Sequence, residues 1–256
     1  MTSLEENLRA VRARIDDAAR AAGRDPRSVA LLAVSKSWPA DAVRALVTLG
    51  QADFGENRAQ ELTAKAQQLR DLELTDRPVR WHFIGQLQRN KAAAVARVGA
   101  VVHSVDRPVL VGVLDRVGSE RGRPVEVFVQ VDLGGPEGDT LAGTAARGGA
   151  SPDDVPGLAD AVAAAEGLRL RGLMAVAPRE ADPAPAFERL ATLSERVRAD
   201  HPEAVDLSAG MSGDLEEAVA SGATIVRVGT ALFGERPLPS GEQRVTPVTR
   251  APRAPA

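Results

Sequence analysis

Lys36 is the residue of this chain best suited to covalent chemistry. It follows an apolar run, residues 29–34, whose length and composition predict a buried strand. Only three of the 32 Lys and Arg residues are lysines, namely Lys36, Lys65 and Lys91. Arginine stays protonated in proteins, whereas a lysine can lose its proton and form a Schiff base with an aldehyde. The alternative is a strand-end lysine that extends its ammonium group into solvent.

Two glycine-containing segments near the C-terminus could bind an anion. In residues 208–218, small residues lead into a predicted helix, with Ser212 placed to cap it. In residues 225–234, an apolar strand ends at Gly229 and Thr230, which open a short helical turn. Backbone N–H groups at such turns bind phosphate, and the last two strands of a barrel are the usual place for this. Each segment alone would be an ordinary turn, but the pair favours a phosphate site.

Two more polar side chains interrupt or end predicted strands. Arg227 stands in an apolar strand, so it either faces a ligand or pairs with a carboxylate at the barrel rim. His82 either contacts a ligand or is a strand-end histidine bonded to backbone. The three histidines are scattered and cysteine is absent, so the sequence predicts no metal site.

The predicted elements bring these residues to one end of a barrel. An additional helix starts at Ser3, with Glu6 completing a capping box. Strand and helix then alternate about eight times, which favours an α/β fold, a (β/α)8 TIM-type barrel. The strands are predicted over residues 29–34, 52–54, 80–85, 101–105, 125–131, 168–176, 205–207 and 224–228. Functional side chains of such barrels lie where strands end.

The chain is predicted to form a single domain, residues 1–236, followed by a Pro-rich, disordered tail, residues 237–256. Residues 134–152, rich in Gly, Ala and Thr, are predicted to form a long loop. The net charge of −3 gives no electrostatic argument for nucleic acid or an anionic membrane as partner. The N-terminus lacks the pattern of a signal peptide, which predicts a cytoplasmic protein.

Five segments together resemble the pyridoxal phosphate homeostasis proteins, single-domain relatives of the barrel domain of alanine racemase. They read LLAVSKSWP, DFGENRAQE, WHFIGQLQRNK, RLRGLMAVAP and LSAGMSGDLEEAVASGATIVRVGTALFG. The resemblance implies that pyridoxal 5'-phosphate is bound as an internal aldimine on the lysine of the first strand. It covers most of the chain up to Gly234, although the segment after Val131 is longer than the family's pattern.

The resemblance also assigns cofactor-binding residues by motif. Lys36 would carry the aldimine, and Ser212, the serine of the GMS motif, would bind the phosphate together with Gly229 and Thr230. Met211 of the same motif is also assigned to the cofactor site. Three further residues would lie beside the cofactor ring, namely Asn57, His82 and Arg227. Arg227 would face the pyridine nitrogen. No residue is assigned a catalytic role.

The implied function is buffering or delivery of the cofactor without robust catalysis, with apo enzymes as possible recipients and a monomer as the expected state. A PLP-dependent amino-acid racemase is the first alternative. Two-base racemisation needs an acid/base group opposite the lysine, which alanine racemases supply as a tyrosine from a second domain, and this sequence contains no tyrosine. The second alternative is an unrelated barrel enzyme that acts on a phosphorylated metabolite through Lys36.

Overall fold

Eight parallel strands close into a barrel, which confirms the predicted fold class. The computed structural model describes residues 3–71, 78–134, 148–178 and 181–234. The strands are β1 (Ala30–Val34), β2 (Asp53–Glu56), β3 (Arg80–Phe83), β4 (Val101–Val105), β5 (Val125–Val131), β6 (Leu168–Ala175), β7 (Asp206–Ser208) and β8 (Ile225–Val228). Each strand pairs with its sequence neighbours, and β1 closes the barrel on β8 with Ala30 opposite Ile225.

Helices surround the barrel and connect its strands. They are α1 (Leu4–Ala21), α2 (Ala40–Thr48), α3 (Ala59–Asp71), α4 (Arg89–Val98), α5 (Pro108–Glu120), α6 (Val155–Ala163), α7 (Ala184–Asp200), α8 (Leu215–Ala220) and α9 (Thr230–Phe233), with a 3-10 turn at Pro26–Ser28. Ser3 and Glu6 form the predicted capping box at the start of α1. None of the helices in the described ranges is long and apolar enough to cross a bilayer.

Parts of two predicted segments fall outside the described residues. Residues 135–147, which make up most of the loop predicted at 134–152, are not among the described residues. Of the rest of this segment, Ala150 forms a parallel bridge with Val131 of β5. The predicted tail, residues 237–256, lies entirely outside them, so the domain boundary stays a prediction.

The two faces of the strands have different surroundings. The outward face packs under the helices in one large apolar core, to which Phe54, Phe83 and Val226 belong. The inward face carries a smaller apolar cluster around Leu32 and Phe128, together with polar side chains. Since side chains alternate along a strand, inward positions can be read by counting in twos from these residues.

The additional helix α1 holds the last two strand–helix units in place. Its apolar face is buried through Leu8, Val11 and Ile15. The Asn7 side-chain amide donates to the carbonyl oxygen of Leu232 in α9 at 3.0 Å. Arg14 forms two hydrogen bonds with the Glu216 carboxylate and donates a third to the carbonyl oxygen of Ser212 at 3.2 Å. The loop predicted to bind phosphate is therefore tied to the N-terminal helix.

Candidate functional site

A cavity of about 230 Å³ opens where β1, β7 and β8 end. Six of the eight residues predicted to bind a cofactor line it, and these are Lys36, Met211, Ser212, Arg227, Gly229 and Thr230. The structure thus brings the lysine, the arginine and both glycine-containing segments around one space. This is the geometry that a ligand with a carbonyl group at one end and an anionic group at the other would require.

Lys36 stands in a tight turn that ends β1. The Trp38 N–H donates to the Ser35 carbonyl oxygen at 3.0 Å, and Ser37 has a φ of +68°, in the left-handed region that non-glycine residues seldom adopt. This conformation costs about 1 kcal/mol or more, so it requires support from neighbouring groups. The Glu61 carboxylate supplies it by accepting a hydrogen bond from the Ser37 N–H at 2.6 Å.

A buried ion-pair cluster lies under this turn. The Lys65 Nζ donates to Glu56 Oε1 at 2.7 Å, to Glu61 Oε1 at 2.9 Å and to the Ser35 carbonyl oxygen at 2.8 Å. The Ser35 hydroxyl donates to the same Glu56 oxygen at 2.7 Å. Burial raises the pKa of Glu56, although Lys65 and Ser35 act in the opposite direction. The second lysine is therefore engaged in holding both sides of Lys36, a role that sequence reasoning missed.

The predicted helix cap at Ser212 is wrong, and the observed geometry brings into contact the two segments that were predicted to bind an anion. Helix α8 begins later, at Leu215, with Asp214 as the N-cap residue. Asp214 instead accepts a hydrogen bond from the Met211 N–H, which closes the turn between them. The Ser212 hydroxyl accepts a long hydrogen bond, 3.5 Å, from the N–H of Ala231 in α9. Ser212 and the first turn of α9 therefore face the same space.

Two glycines make this arrangement sterically possible. A Cβ at Gly229 would lie 3.2 Å from the carbonyl oxygen of Val34, so a larger residue would require the end of β1 to shift by a few tenths of an ångström. Gly210 has a φ of +87°, and a Cβ there would lie 2.6 Å from the Ala218 Cβ. The backbone N–H of Arg227 donates to the Gly210 carbonyl oxygen at 2.9 Å, which fixes this loop against β8.

Arg227 is a buried cation at the floor of the cavity. One terminal nitrogen donates to the carbonyl oxygen and to the hydroxyl of Ser208, at 2.6 and 2.8 Å, and the other donates to the carbonyl oxygen of Ala175 at 2.7 Å. Burial lowers the pKa of Arg227 to about 10, with Asp214 opposing this shift. Within the described part of the chain no carboxylate lies in ion-pair distance of it. The described residues therefore do not provide the carboxylate partner at the barrel rim that the sequence left open for Arg227.

Asn57 and His82 do not line the cavity. Asn57 follows β2 and is half-buried, with its carbonyl oxygen against Gly85, where a Cβ would approach to 2.1 Å. His82 is buried inside the barrel, where its ring nitrogens contact the Asp53 carboxylate at 2.9 Å and the ring of His103 at 2.8 Å. These partners are side chains, not the backbone group considered from the sequence. Cofactor contact by either residue stays a prediction.

Trp38 is a cavity residue that sequence reasoning missed. Its indole stacks on the ring of Phe233, with 5.5 Å between ring centroids and 21° between ring planes. The available signal was its position two residues after Lys36, in the loop that leaves β1. The stack joins the lysine loop to α9, so it connects the two segments that bear Lys36 and Thr230. Over the residues that the structure describes, no cluster of three or more His, Asp or Glu side chains could hold a metal ion.

Comparison with known proteins identifies the group to which this chain is related. The family described as alanine racemase, N-terminal domain, matches residues 6–237. The pyridoxal phosphate homeostasis protein of Pseudomonas aeruginosa is 44% identical over 92% of this chain and 97% of its own length. That of Mycobacterium tuberculosis is 43% identical, over 93% of this chain and 95% of its own.

A solved structure shows the same fold with the cofactor present. PipY of Synechococcus elongatus, with PLP bound, superposes with a TM-score of 0.74 at 35% sequence identity, covering 91% of this chain and all of that one. These matches span nearly the whole of both chains. The chain therefore belongs to the pyridoxal phosphate homeostasis protein family, built on the fold of the alanine racemase N-terminal domain.

Proposed function

We propose that this chain binds pyridoxal 5'-phosphate covalently at Lys36 and buffers or delivers it to enzymes that need it. The observation that carries the proposal is the cavity that combines Lys36, Arg227 and the two contacting segments at Ser212 and Thr230. The name of the relatives and the PLP-bound relative support it.

The side chains around the cavity suit this cofactor. When bound, pyridoxal 5'-phosphate supplies an aldehyde that condenses reversibly with a primary amine, and Lys36 is the lysine that lines the cavity. Hydroxyl groups of Ser212 and Thr230, with the N–H of Ala231, can donate to the phosphate. Arg227 can donate to the ring nitrogen, which disfavours protonation of that nitrogen.

The same residues argue for a carrier over a racemase. Proton abstraction and return on opposite faces of a substrate needs a second acid/base group within hydrogen-bond reach. None of the 256 residues is a tyrosine, and among the residues that the structure describes the cavity lining holds no histidine or carboxylate side chain to replace it. An arginine at the ring nitrogen weakens the cofactor as an electron sink, which argues against transamination or decarboxylation. It does not separate carrier from racemase, because racemases also use an arginine there. Lys36 then serves reversible attachment more readily than turnover.

Borohydride reduction followed by peptide mapping tests the attachment site. The loaded protein should carry the reduced cofactor on Lys36, and Lys36→Ala should lose covalent retention while keeping its fold. Lys91→Ala is the matched control, because Lys91 lies on α4 and does not line the cavity. Modification confined to Lys65 or Lys91 would overturn the assignment.

Two assays on the loaded protein separate carrier from racemase. In the first, the loaded protein is incubated with L-alanine and the D-isomer is followed by chiral chromatography; we expect negligible conversion. In the second, it is mixed with an apo enzyme that requires the cofactor; we expect activity to return. D-alanine production that is proportional to protein and lost in Lys36→Ala would establish the racemase. An absorbance spectrum without a band from bound cofactor would favour the phosphorylated-metabolite enzyme.

A further inference from the structure

A line of hydrogen-bonded side chains crosses the barrel interior beneath the cavity. It starts at Arg227, which donates to the Ser208 hydroxyl at 2.8 Å. The Ser208 hydroxyl lies 2.9 Å from His103 Nδ1, and His103 Nε2 lies 2.8 Å from His82 Nδ1. The line ends at Asp53, whose Oδ1 is 2.9 Å from His82 Nε2. It thus links the cavity floor on β8 with the opposite end of the barrel, through β7, β4, β3 and β2.

The chemistry at the two ends fixes the direction of the hydrogen bonds. Asp53 can only accept when ionised, so His82 must carry a proton on Nε2. A neutral His82 then accepts on Nδ1, which requires a proton on Nε2 of His103. A neutral His103 in turn accepts on Nδ1 from the Ser208 hydroxyl. Ser208 is left with its oxygen lone pairs directed at Arg227, which can only donate.

Burial supports the neutral state of both histidines. His103 has no exposed surface and His82 is 3% exposed, and the ring of His103 stacks on Phe128 with 4.3 Å between centroids. Burial lowers the pKa of His82, partly offset by Asp53, and lowers that of His103 well below its ordinary value.

The charged neighbours act in both directions. Asp53 and Glu126 favour a charged His82, whereas Arg80 opposes it. Around His103, the nearby groups His82, Arg227, Arg171 and Arg80 all disfavour a positive charge. The net result is a neutral pair in the middle of the barrel.

The direction of the line matters for the arginine. Its guanidinium has five N–H groups, and three of them donate to Ser208 and Ala175. This leaves two without an acceptor in the described part of the chain. If His103 carried its proton on Nδ1, the Ser208 oxygen would accept from both His103 and Arg227, and the hydroxyl proton would need another acceptor. Arg227 would then share this acceptor with His103.

We propose that His82 and His103, both neutral with the proton on Nε2, are positioning residues for Arg227. They hold Ser208 as an acceptor, so that Arg227 presents its remaining N–H groups to the ring nitrogen of the bound cofactor. The second half of this inference rests on the proposed function. The first half, the tautomeric state, belongs to the protein alone.

The tautomers can be measured without cofactor. In protein labelled with ¹⁵N-histidine, long-range ¹H–¹⁵N spectra distinguish a protonated from an unprotonated ring nitrogen. At about pH 7.5 we expect His82 and His103 to show a proton on Nε2 only. His201, which pairs with Asp160 outside the barrel, provides the reference signal and is assigned with His201→Gln. A proton on Nδ1 of either buried histidine would overturn the proposal.

The coupling to Arg227 is tested by substitution. His103→Leu removes the acceptor for Ser208, whereas His103→Asn can present its amide oxygen there. We expect His103→Leu to bind pyridoxal 5'-phosphate about fivefold more weakly, with a shifted absorbance band of the bound cofactor, and His103→Asn to restore both. Ser208→Ala, a smaller change, should shift the band like His103→Leu. His201→Leu should change neither.

The outcomes separate this proposal from the proposed function. If wild-type protein gives no Lys36-dependent band, the cofactor assignment fails, while the tautomers are still decided by the spectra of the apo protein. If wild type binds and both His103→Leu and Ser208→Ala retain its affinity and band, the positioning role is refuted. If His103→Leu does not fold, Ser208→Ala decides the question by the same readouts.

Discussion

Replacing Lys65 by methionine tests the idea that the buried cluster supports the Lys36 turn. The Lys65 side chain is 6% exposed and that of Glu56 is 0% exposed. Among the described residues, Lys65→Met therefore leaves this buried carboxylate with only the Ser35 hydroxyl as a partner. Breaking a buried pair on one side costs about 3 to 5 kcal/mol. For a domain of this size that corresponds to a melting temperature lower by roughly 6 to 20 °C.

A double-mutant cycle followed by thermal or urea unfolding measures this cost. Adding Glu56→Gln to Lys65→Met removes both charges, so the double variant should be more stable than Lys65→Met alone. The matched control is Lys91→Met, which should stay within about 0.5 kcal/mol of wild type. If Lys65→Met lost less than about 1 kcal/mol, or if Glu56→Gln gave no recovery, the cluster would not be the support described.

Three further outcomes follow from the site. Ser212→Ala combined with Thr230→Val removes two hydroxyl donors and should weaken cofactor binding by about 1 to 3 kcal/mol for each bond to the phosphate, measured by titration. Acidification from about pH 7 to pH 5 should cost wild type up to about 2 kcal/mol more than His103→Leu in urea unfolding, because burial lowers the pKa of His103 and only the unfolded chain takes up that proton. Arg14→Met should lower cofactor affinity about two- to fivefold by releasing the Ser212 loop, whereas Arg9→Met on the same helix should not.

Each of these outcomes has a contrary result. Unchanged affinity in the double hydroxyl variant would put the phosphate elsewhere. Burial raises the pKa of Glu56, so on acidification Glu56 takes up a proton more readily in the folded state and stabilises it. The pH test therefore compares wild type with His103→Leu and does not rely on the pH dependence of wild type alone. If acidification lowered the free energy of unfolding equally in wild type and His103→Leu, His103 would be protonated in the folded state. Equal affinities for Arg14→Met and Arg9→Met would show that the loop holds its shape without α1.

The fold was predictable because its signals are local. Apolar runs of strand length alternate with amphipathic helices, and each strand pairs with its sequence neighbour, so order in the chain gives order in the barrel. Lys36, Gly229 and Thr230 could be predicted to lie at the cavity for the same reason, since each lies within two residues of a strand end. Helix starts were harder: Ser212 has the residue type of a cap, but Asp214 took that position.

The interior contacts could not be predicted in the same way. The pairing of Lys65 with Glu56 depends on how α3 lies over β2, and the contact between His103 and Ser208 joins residues 105 positions apart in the chain. A lone histidine or lysine in a sequence gives no indication of such a partner. The alternation of inward and outward positions would have placed His82, His103 and Arg227 inside the barrel, but not their order of contact.

The stack of Trp38 on Phe233 fixes a tryptophan at the cavity, so the intrinsic fluorescence of the protein can report on the cavity. With two tryptophans and no tyrosine, the near-ultraviolet emission comes from two indoles only. Trp81 is buried against Phe54 in the outer core, whereas Trp38 forms a wall of the cavity. Occupancy of the cavity should therefore quench one indole and leave the other as a measure of folding. A Trp38→Phe variant would report unfolding alone, so comparing it with wild type would separate binding from stability without any added label.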